Sequence, residues 1–187
     1  LFRSGKLGYE LTKQLLEGGY PKVYAVNPKA QGVIPSLSGD LNPSLSGDLT
    51  APGYDAVTKI GQPVDLAVIA APASTVEGVL EDCGRAGVSA AIIITAGFSE
   101  VGKVAEEQAL KRVAERYGIR FVGPNCAGLV NTRHNLFPTL ETRPPAGEVA
   151  FVSQSGALGG AVLSWAEEQG LGFSKFVSYG NGADLNE

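Results

Sequence analysis

The sequence predicts an α/β protein built on a doubly wound parallel sheet, and three observations carry that expectation. Short apolar runs alternate with segments of helical spacing along most of the chain. Two of these runs, "DLAVIAA" (65–71) and "AAIIIT" (90–95), are almost wholly apolar, as strands covered on both faces must be. Three successive strand ends lead into loops of small residues and prolines: "AAPAST" (70–75), "ITAGFSE" (94–100) and "VGPNCAG" (122–128). Ligands of open parallel sheets bind outside the carboxyl ends of the strands. Small residues there keep a shallow crevice open.

The elements follow in order. Tyr9 to Glu17 has helical composition and stops at Gly18-Gly19. "KVYAV" (22–26) is a β-branched and aromatic run, read as a strand. "DLAVIAA" follows. Ser74 to Glu77 has the spacing of a capping box, which predicts a helix opening at Ser74 and ending near Gly87. "AAIIIT" is the next strand, Val104 to Tyr117 a helix closed by Gly118, and "IRFVG" (119–123) a further strand. Between Asn131 and Gly147 the rhythm breaks, with Pro138, Pro144 and Pro145 among polar residues, so a domain boundary is expected near Thr142 to Gly147. It restarts with strand "EVAFVS" (148–153), helix Ala157 to Glu168 and strand "KFVS" (175–178). These last elements are too few for an independent domain. "PSLSGDL" occurs twice, at 35–41 and 43–49, which reads as a loop expansion rather than a repeat fold.

Composition excludes several classes. With 44% hydrophobic and 18% charged residues the 187-residue chain has the profile of a soluble globular protein. Its net charge of −4 disfavours nucleic acid or an anionic membrane as partner. Cys83 and Cys126 fit no metal or redox pair, no membrane span is present, and a cytoplasmic location is expected. No grouping suggests a bound metal. The absence of any methionine and the opening in a loop suggest a fragment of a longer protein.

Four stretches bear on chemistry. "SGKLGY" (4–9) precedes a helix whose N-terminus attracts phosphate, but Leu7 stands where a P-loop needs Ser or Thr. The second strand ends "AVNPK", with Asn27 where a dinucleotide site places an acid. Lys29 suits a ligand carrying an extra phosphate near its ribose. Cys126 has no histidine in its motif to activate it and reads as a small buried residue. In "FVSQSGALGGA" (151–161) the elbow pattern G-x-S-x-G fails around Ser155. Ser155, Gly156 and Ala157 instead offer a hydroxyl and free N–H groups at a helix start, suited to a phosphate dianion. The single histidine, His134, reads as a surface or structural residue.

Taken together, "GKLGYE", "VNPK", "AVIAAPA", "ITAGF", "FVGPNCAGLVN" and "VSQSGALGGAV" resemble the succinyl-CoA synthetase α-subunit and NDP-forming acyl-CoA synthetase family, nearest the ADP-forming acetate–CoA ligase branch. Succinyl-CoA synthetases usually carry "ITEG" where Ala96 stands here. The resemblance implies a Rossmann-like CoA-binding domain over residues 1–143, lacking its first strand and so leaving a gap in mid-sheet. A truncated flavodoxin-like α/β domain follows over 148–187. It implies that Ser4, Gly5, Lys6 and Leu7 hold the phosphate end of CoA, with Val26, Pro28 and Lys29 near the adenosine. Ala71, Pro72, Thr95 and Gly97 would line the pantetheine arm, and Asn125 and Cys126 the thiol end. The helix start at Ser155, Gly156 and Ala157 would face a phosphate carried on a histidine outside this segment, which itself holds no catalytic residue.

The implied reaction is acid + CoA + ATP ⇌ acyl-CoA + ADP + phosphate. ATP or ADP with Mg is expected only in the complete enzyme, together with an ATP-grasp domain or β subunit and oligomeric assembly. A CoA-sensing regulatory domain of a protein acetyltransferase is the alternative. An NAD(P)-binding Rossmann oxidoreductase is weaker, for want of an acid at position 27.

Overall fold

A computed structural model describes residues 6–29, 32–34 and 51–186. Both copies of the repeated heptapeptide, and the Ser4-Gly5 pair, lie outside the described residues. The described elements run α1 (Leu7–Glu17), β1 (Ala25–Val26), β2 (Gly32–Ile34), β3 (Ala51–Tyr54), β4 (Leu66–Ile69), α2 (Ala73–Arg85), β5 (Ala90–Ile93), α3 (Val104–Tyr117), β6 (Arg120–Val122), β7 (Gly128–Asn131), β8 (Ala146–Ser153), α4 (Gly156–Glu168) and β9 (Phe173–Ser178).

They form three three-stranded sheets, ordered β1-β3-β2, β4-β5-β6 and β7-β9-β8. The middle sheet is wholly parallel, with Leu66 beside Ala90 and Ala90 beside Arg120. Its side chains alternate between two layers, as the two-residue period of a strand dictates. Ile69, Ala91, Ile93 and Phe121 bury against Val76, Leu80 and Cys83 of α2 and Leu110, Val113 and Ala114 of α3. Ile92, Ile94 and Val122 bury with Leu11 of α1 on the other side. Helices on both faces of a parallel sheet are the doubly wound arrangement expected from the sequence.

Several details depart from the sequence expectations. α2 opens at Ala73 with Pro72 as its N-cap, not at Ser74. No side chain caps it, and Thr75 Oγ1 donates to the Pro72 carbonyl at 2.8 Å. The fixed φ of proline sets the helix start, so Ser74 falls inside the first turn. The strand expected over 22–26 keeps only Ala25–Val26. β3, "APGY", carries no strand signature because Pro and Gly are strand-poor residues, yet it pairs with both β1 and β2. α3 ends on Gly118 at φ 69°, as its sequence predicts. No described ladder joins β1 to β4.

The stretch where a boundary is expected is tied down on both sides. β7, before it, pairs antiparallel with β9, beyond it. Thr139, fully buried, donates to the Ala127 carbonyl at 2.9 Å. Arg143 pairs with Glu17 of α1 at 3.0 Å. His134 is exposed, at the end of a 3-10 turn after β7.

α4 rests on β9 through a glycine. A Cβ on Gly159 would lie 2.3 Å from the ring of Phe176, which is completely buried. Gly→Ala in a helix interior ordinarily gains about 1 kcal/mol. Here the ring has nowhere to go, and overpacking of this kind costs about 1–3 kcal/mol. Gly159→Ala is therefore expected to lower Tm by a few degrees. A melt showing a raised Tm would contradict this packing.

Candidate functional site at the carboxyl edge of the middle sheet

The carboxyl ends of β4, β5 and β6 are laced together by backbone and hydroxyl groups. Thr95 Oγ1 donates to the Ala71 carbonyl at 2.7 Å. The Thr95 carbonyl accepts from the Asn125 amide at 2.9 Å. The three small-residue loops thus hang from one another in strand order. Gly97, at φ 107°, lies in the left-handed region that favours glycine. An added Cβ there would meet Ala73 Cβ at 3.3 Å, so the loop lies close against the start of α2.

The loop after β6 is built by close approach. A Cβ on Gly123 would sit 2.4 Å from the Ile93 carbonyl, and Gly123 also has positive φ. The loop carries a cis Gly123–Pro124 bond and ends with Asn125 at φ 58°, its side chain exposed. Cys126 turns inward. Its Sγ donates to the Ile93 carbonyl at 3.3 Å, and burial pushes the thiol up from its ordinary value near 9 to about 11. That is the buried structural residue expected from the sequence, not a nucleophile.

Helix α4 starts directly beside this loop. A Cβ on Gly156 would lie 2.8 Å from Ala127 Cβ. The Ala127 amide donates to Ser178 Oγ at 3.1 Å, which fixes the loop on β9. Ser155 is the N-cap of α4, its Oγ accepting from the Leu158 amide at 3.2 Å. Its acceptor role is therefore spent on the helix. The first-turn amides of Gly156 and Ala157 have no intrahelical carbonyl to bond. The structure thus brings the loop that carries Asn125 and Cys126, through Ala127, against Gly156 at the start of α4, some 30 positions away.

The remaining expected residues lie further out. Lys6 is the N-cap of α1 without a side-chain cap, and Leu7 opens the helix, half exposed at 50%. Val26 is half-buried, whereas Pro28 and Lys29 are exposed. Asn27 Oδ1 accepts from the Lys29 amide at 3.0 Å, so the carboxamide closes its own turn. Lys29 makes no ion pair among the described residues.

Sequence reasoning missed Glu100 and Asn181. The Glu100 carboxylate folds back to accept from the Gly97 and Phe98 amides and from Asn181 Nδ2, the last at 2.6 Å. Desolvation raises its pKa, but these hydrogen bonds outweigh it and hold the carboxyl below its ordinary value. Asn181 lies in "YGNGADLN", where only its flanking glycines hinted at a turn. A separate cleft, lined by Val57, Gly61, Pro63 and Ala86, opens at the amino ends of β4 and β5. It contains none of the expected residues.

Residues 2–132 match a CoA binding domain family, and residues 146–187 a succinyl-CoA ligase like flavodoxin domain. The chain is 42% identical over 184 residues to an ADP-forming acetate–CoA ligase of Methanocaldococcus jannaschii, covering 98% of this chain and 24% of that protein. It is 42% identical over 183 residues to the α subunit of ADP-forming acetate–CoA ligase II of Pyrococcus furiosus, covering 97% of this chain and 37% of that one. Among solved structures, the dinucleotide-forming acetyl-coenzyme A synthetase 1 of Ca. Korarchaeum cryptofilum, in complex with phosphate and ADP, superposes with a TM-score of 0.84 at 39% identity. The match covers 98% of this chain and 37% of that one. The chain therefore spans roughly a quarter to two fifths of the length of these relatives. No helix among the described residues is long and apolar enough to cross a membrane.

The raised thiol gives a direct test. Two units above the ordinary value leave about 100-fold less thiolate at neutral pH, and Cys126 is only 6% exposed. Alkylation of Cys126 at pH 7.5 should run at least 100-fold slower in the folded protein than in urea. Equal rates would show an accessible thiol of ordinary acidity, and contradict its burial.

Proposed function

The chain belongs to the CoA binding domain family, and on that premise we propose that it is the CoA-binding portion of an ADP-forming acyl-CoA synthetase. The observation that carries the reading is the contact between Gly156 and Ala127. It sets a helix start suited to phosphate against the loop proposed for the CoA thiol. A synthetase that exchanges phosphate for thioester needs these two groups side by side. The complete reaction is acid + CoA + ATP ⇌ acyl-CoA + ADP + phosphate. We assign the nucleotide and Mg to no residue of this chain. They belong with an ATP-grasp domain or β subunit, in an oligomeric assembly.

The residues fit CoA in chemical kind. Lys29 is an exposed cation outside any described ion pair, suited to the phosphate on the ribose. The amides at Lys6 and Leu7 belong to a helix N-terminus, which favours the pyrophosphate. Ala71, Pro72, Thr95 and Gly97 line the arm with small groups, since any larger side chain at Gly97 would press on Ala73. Asn125 offers an exposed carboxamide to the thiol end. Cys126 supports its loop from below. Gly156 and Ala157 orient a phosphate through their amides, while Ser155 holds the helix start in shape and its hydroxyl hydrogen remains free to donate. Residues 1–143 and 148–187 are proposed as the two domains, joined through the pairing of β7 with β9.

Calorimetry tests this reading. CoA is expected to bind and NAD to give no comparable heat. Dephospho-CoA should bind roughly 10-fold more weakly than CoA, the size of one charge-assisted contact. Lys29→Ala should reduce that preference to about twofold or less. An absence of heat with CoA, or tighter binding of NAD, would remove the proposal.

A further inference from the structure

After β9 the chain turns at Gly180 and runs back along the outer edge of the middle sheet. At φ 58°, Gly180 leaves no room for a side chain, since a Cβ would lie 2.3 Å from the Asn125 carbonyl. The Asn181 amide then donates to the Pro124 carbonyl at 2.9 Å, Ala183 to Gly123 at 3.2 Å and Leu185 to Phe121 at 3.2 Å. Asp184 accepts from the Phe121 amide at 2.8 Å and pairs with Arg120 at 3.0 Å. This strap covers the edge of β6 that would otherwise stay open.

At the head of the strap sits one carboxamide with four partners. Asn181 Nδ2 lies 2.6 Å from Glu100 Oε2, 2.7 Å from Glu107 Oε2 and 3.1 Å from Ser99 Oγ. Asn181 Oδ1 accepts from Asn125 Nδ2 at 3.2 Å. An amide nitrogen has two hydrogens, so they go to the two carboxylates. The Ser99 hydroxyl supplies its own hydrogen to Glu107 at 2.7 Å. Two like charges, one on the Gly97 loop and one on α3, thus share one neutral donor, while the Ser99 amide and hydroxyl also tie Glu107 to that loop. Without it they repel. The oxygen of the same group holds Asn125 on the neighbouring loop.

We propose that Asn181 is a positioning residue for CoA, setting the distance between the Gly97 loop and the Asn125 loop from the strap that follows the third sheet. The inference rests on the functional reading above, which places the CoA arm along the first loop and the thiol at the second. An Asp at position 181 has no hydrogen to donate and adds a third negative charge to Glu100 and Glu107. Its effect must therefore exceed that of Ala.

The test compares wild type, Asn181→Ala and Asn181→Asp in the protein that carries this chain. CoA affinity is read by calorimetry well below Tm, and hydrogen exchange at residues 97–101 and 124–127. Asn181→Ala is expected to weaken CoA about tenfold and to speed exchange in both loops, with Asn181→Asp worse on both counts. Unchanged CoA affinity and unchanged exchange in a variant with lowered Tm would overturn the inference and leave Asn181 a structural tie. A wild type that does not bind CoA would instead overturn the functional reading, and this inference with it. Should Asn181→Ala fail to fold, Asn181→Gln keeps a neutral donor but misplaces it by one methylene, leaves the Ser99–Glu107 bonds intact, and is expected to speed exchange in both loops. Unchanged exchange there would contradict the bridge.

Discussion

The site depends on Thr95. Its hydroxyl reaches back to the Ala71 carbonyl and its own carbonyl accepts from Asn125, so one residue joins three loops that leave three different strands. Each loop alone is a short turn of mostly small residues. Laced in series, they form a continuous shelf along the carboxyl edge of β4, β5 and β6. Hydrogen bonds of this kind contribute only about 1 kcal/mol each. Their value lies in register, because a ligand that crosses the whole edge needs every loop at its proper height at once.

The second constraint is close approach. Gly156 rests on Ala127, Gly159 on Phe176 and Gly128 on the Pro138 carbonyl, each at a distance that excludes a side chain. These contacts seat α4 on β9 and against the loop that follows β6, and β7 against the stretch at Pro138. The amides at the start of α4 thereby become neighbours of Asn125. The strap from Gly180 to Asn186 closes the circuit by returning to β6. The cores around Phe121 and Phe176 are thus joined by this backbone lacing and by a third apolar cluster, in which Leu129, Val177 and Tyr179 pack against Ile92, Ile94, Val122 and Cys126.

Much of this was legible in the sequence because the middle sheet obeys local rules. Its strands are apolar on both faces, α3 ends on a glycine in the left-handed region, and the three loops announce themselves through Pro, Gly and Ala. The rest was hidden for physical reasons. β3 pairs through its backbone, which "APGY" cannot advertise. The opening of α2 is set by Pro72, whose fixed φ outweighs the capping-box pattern of Ser74 and Glu77. The role of Asn181 comes from contacts with residues 56 to 82 positions away, and no local pattern encodes those.

One crystal structure of the protein soaked with CoA addresses the central claim. The pantetheine arm is expected along Ala71, Thr95 and Gly97, with the sulfur beside Asn125 and facing the start of α4. CoA found instead at the amino ends of the strands, in the cleft lined by Val57, Gly61, Pro63 and Ala86, would contradict it.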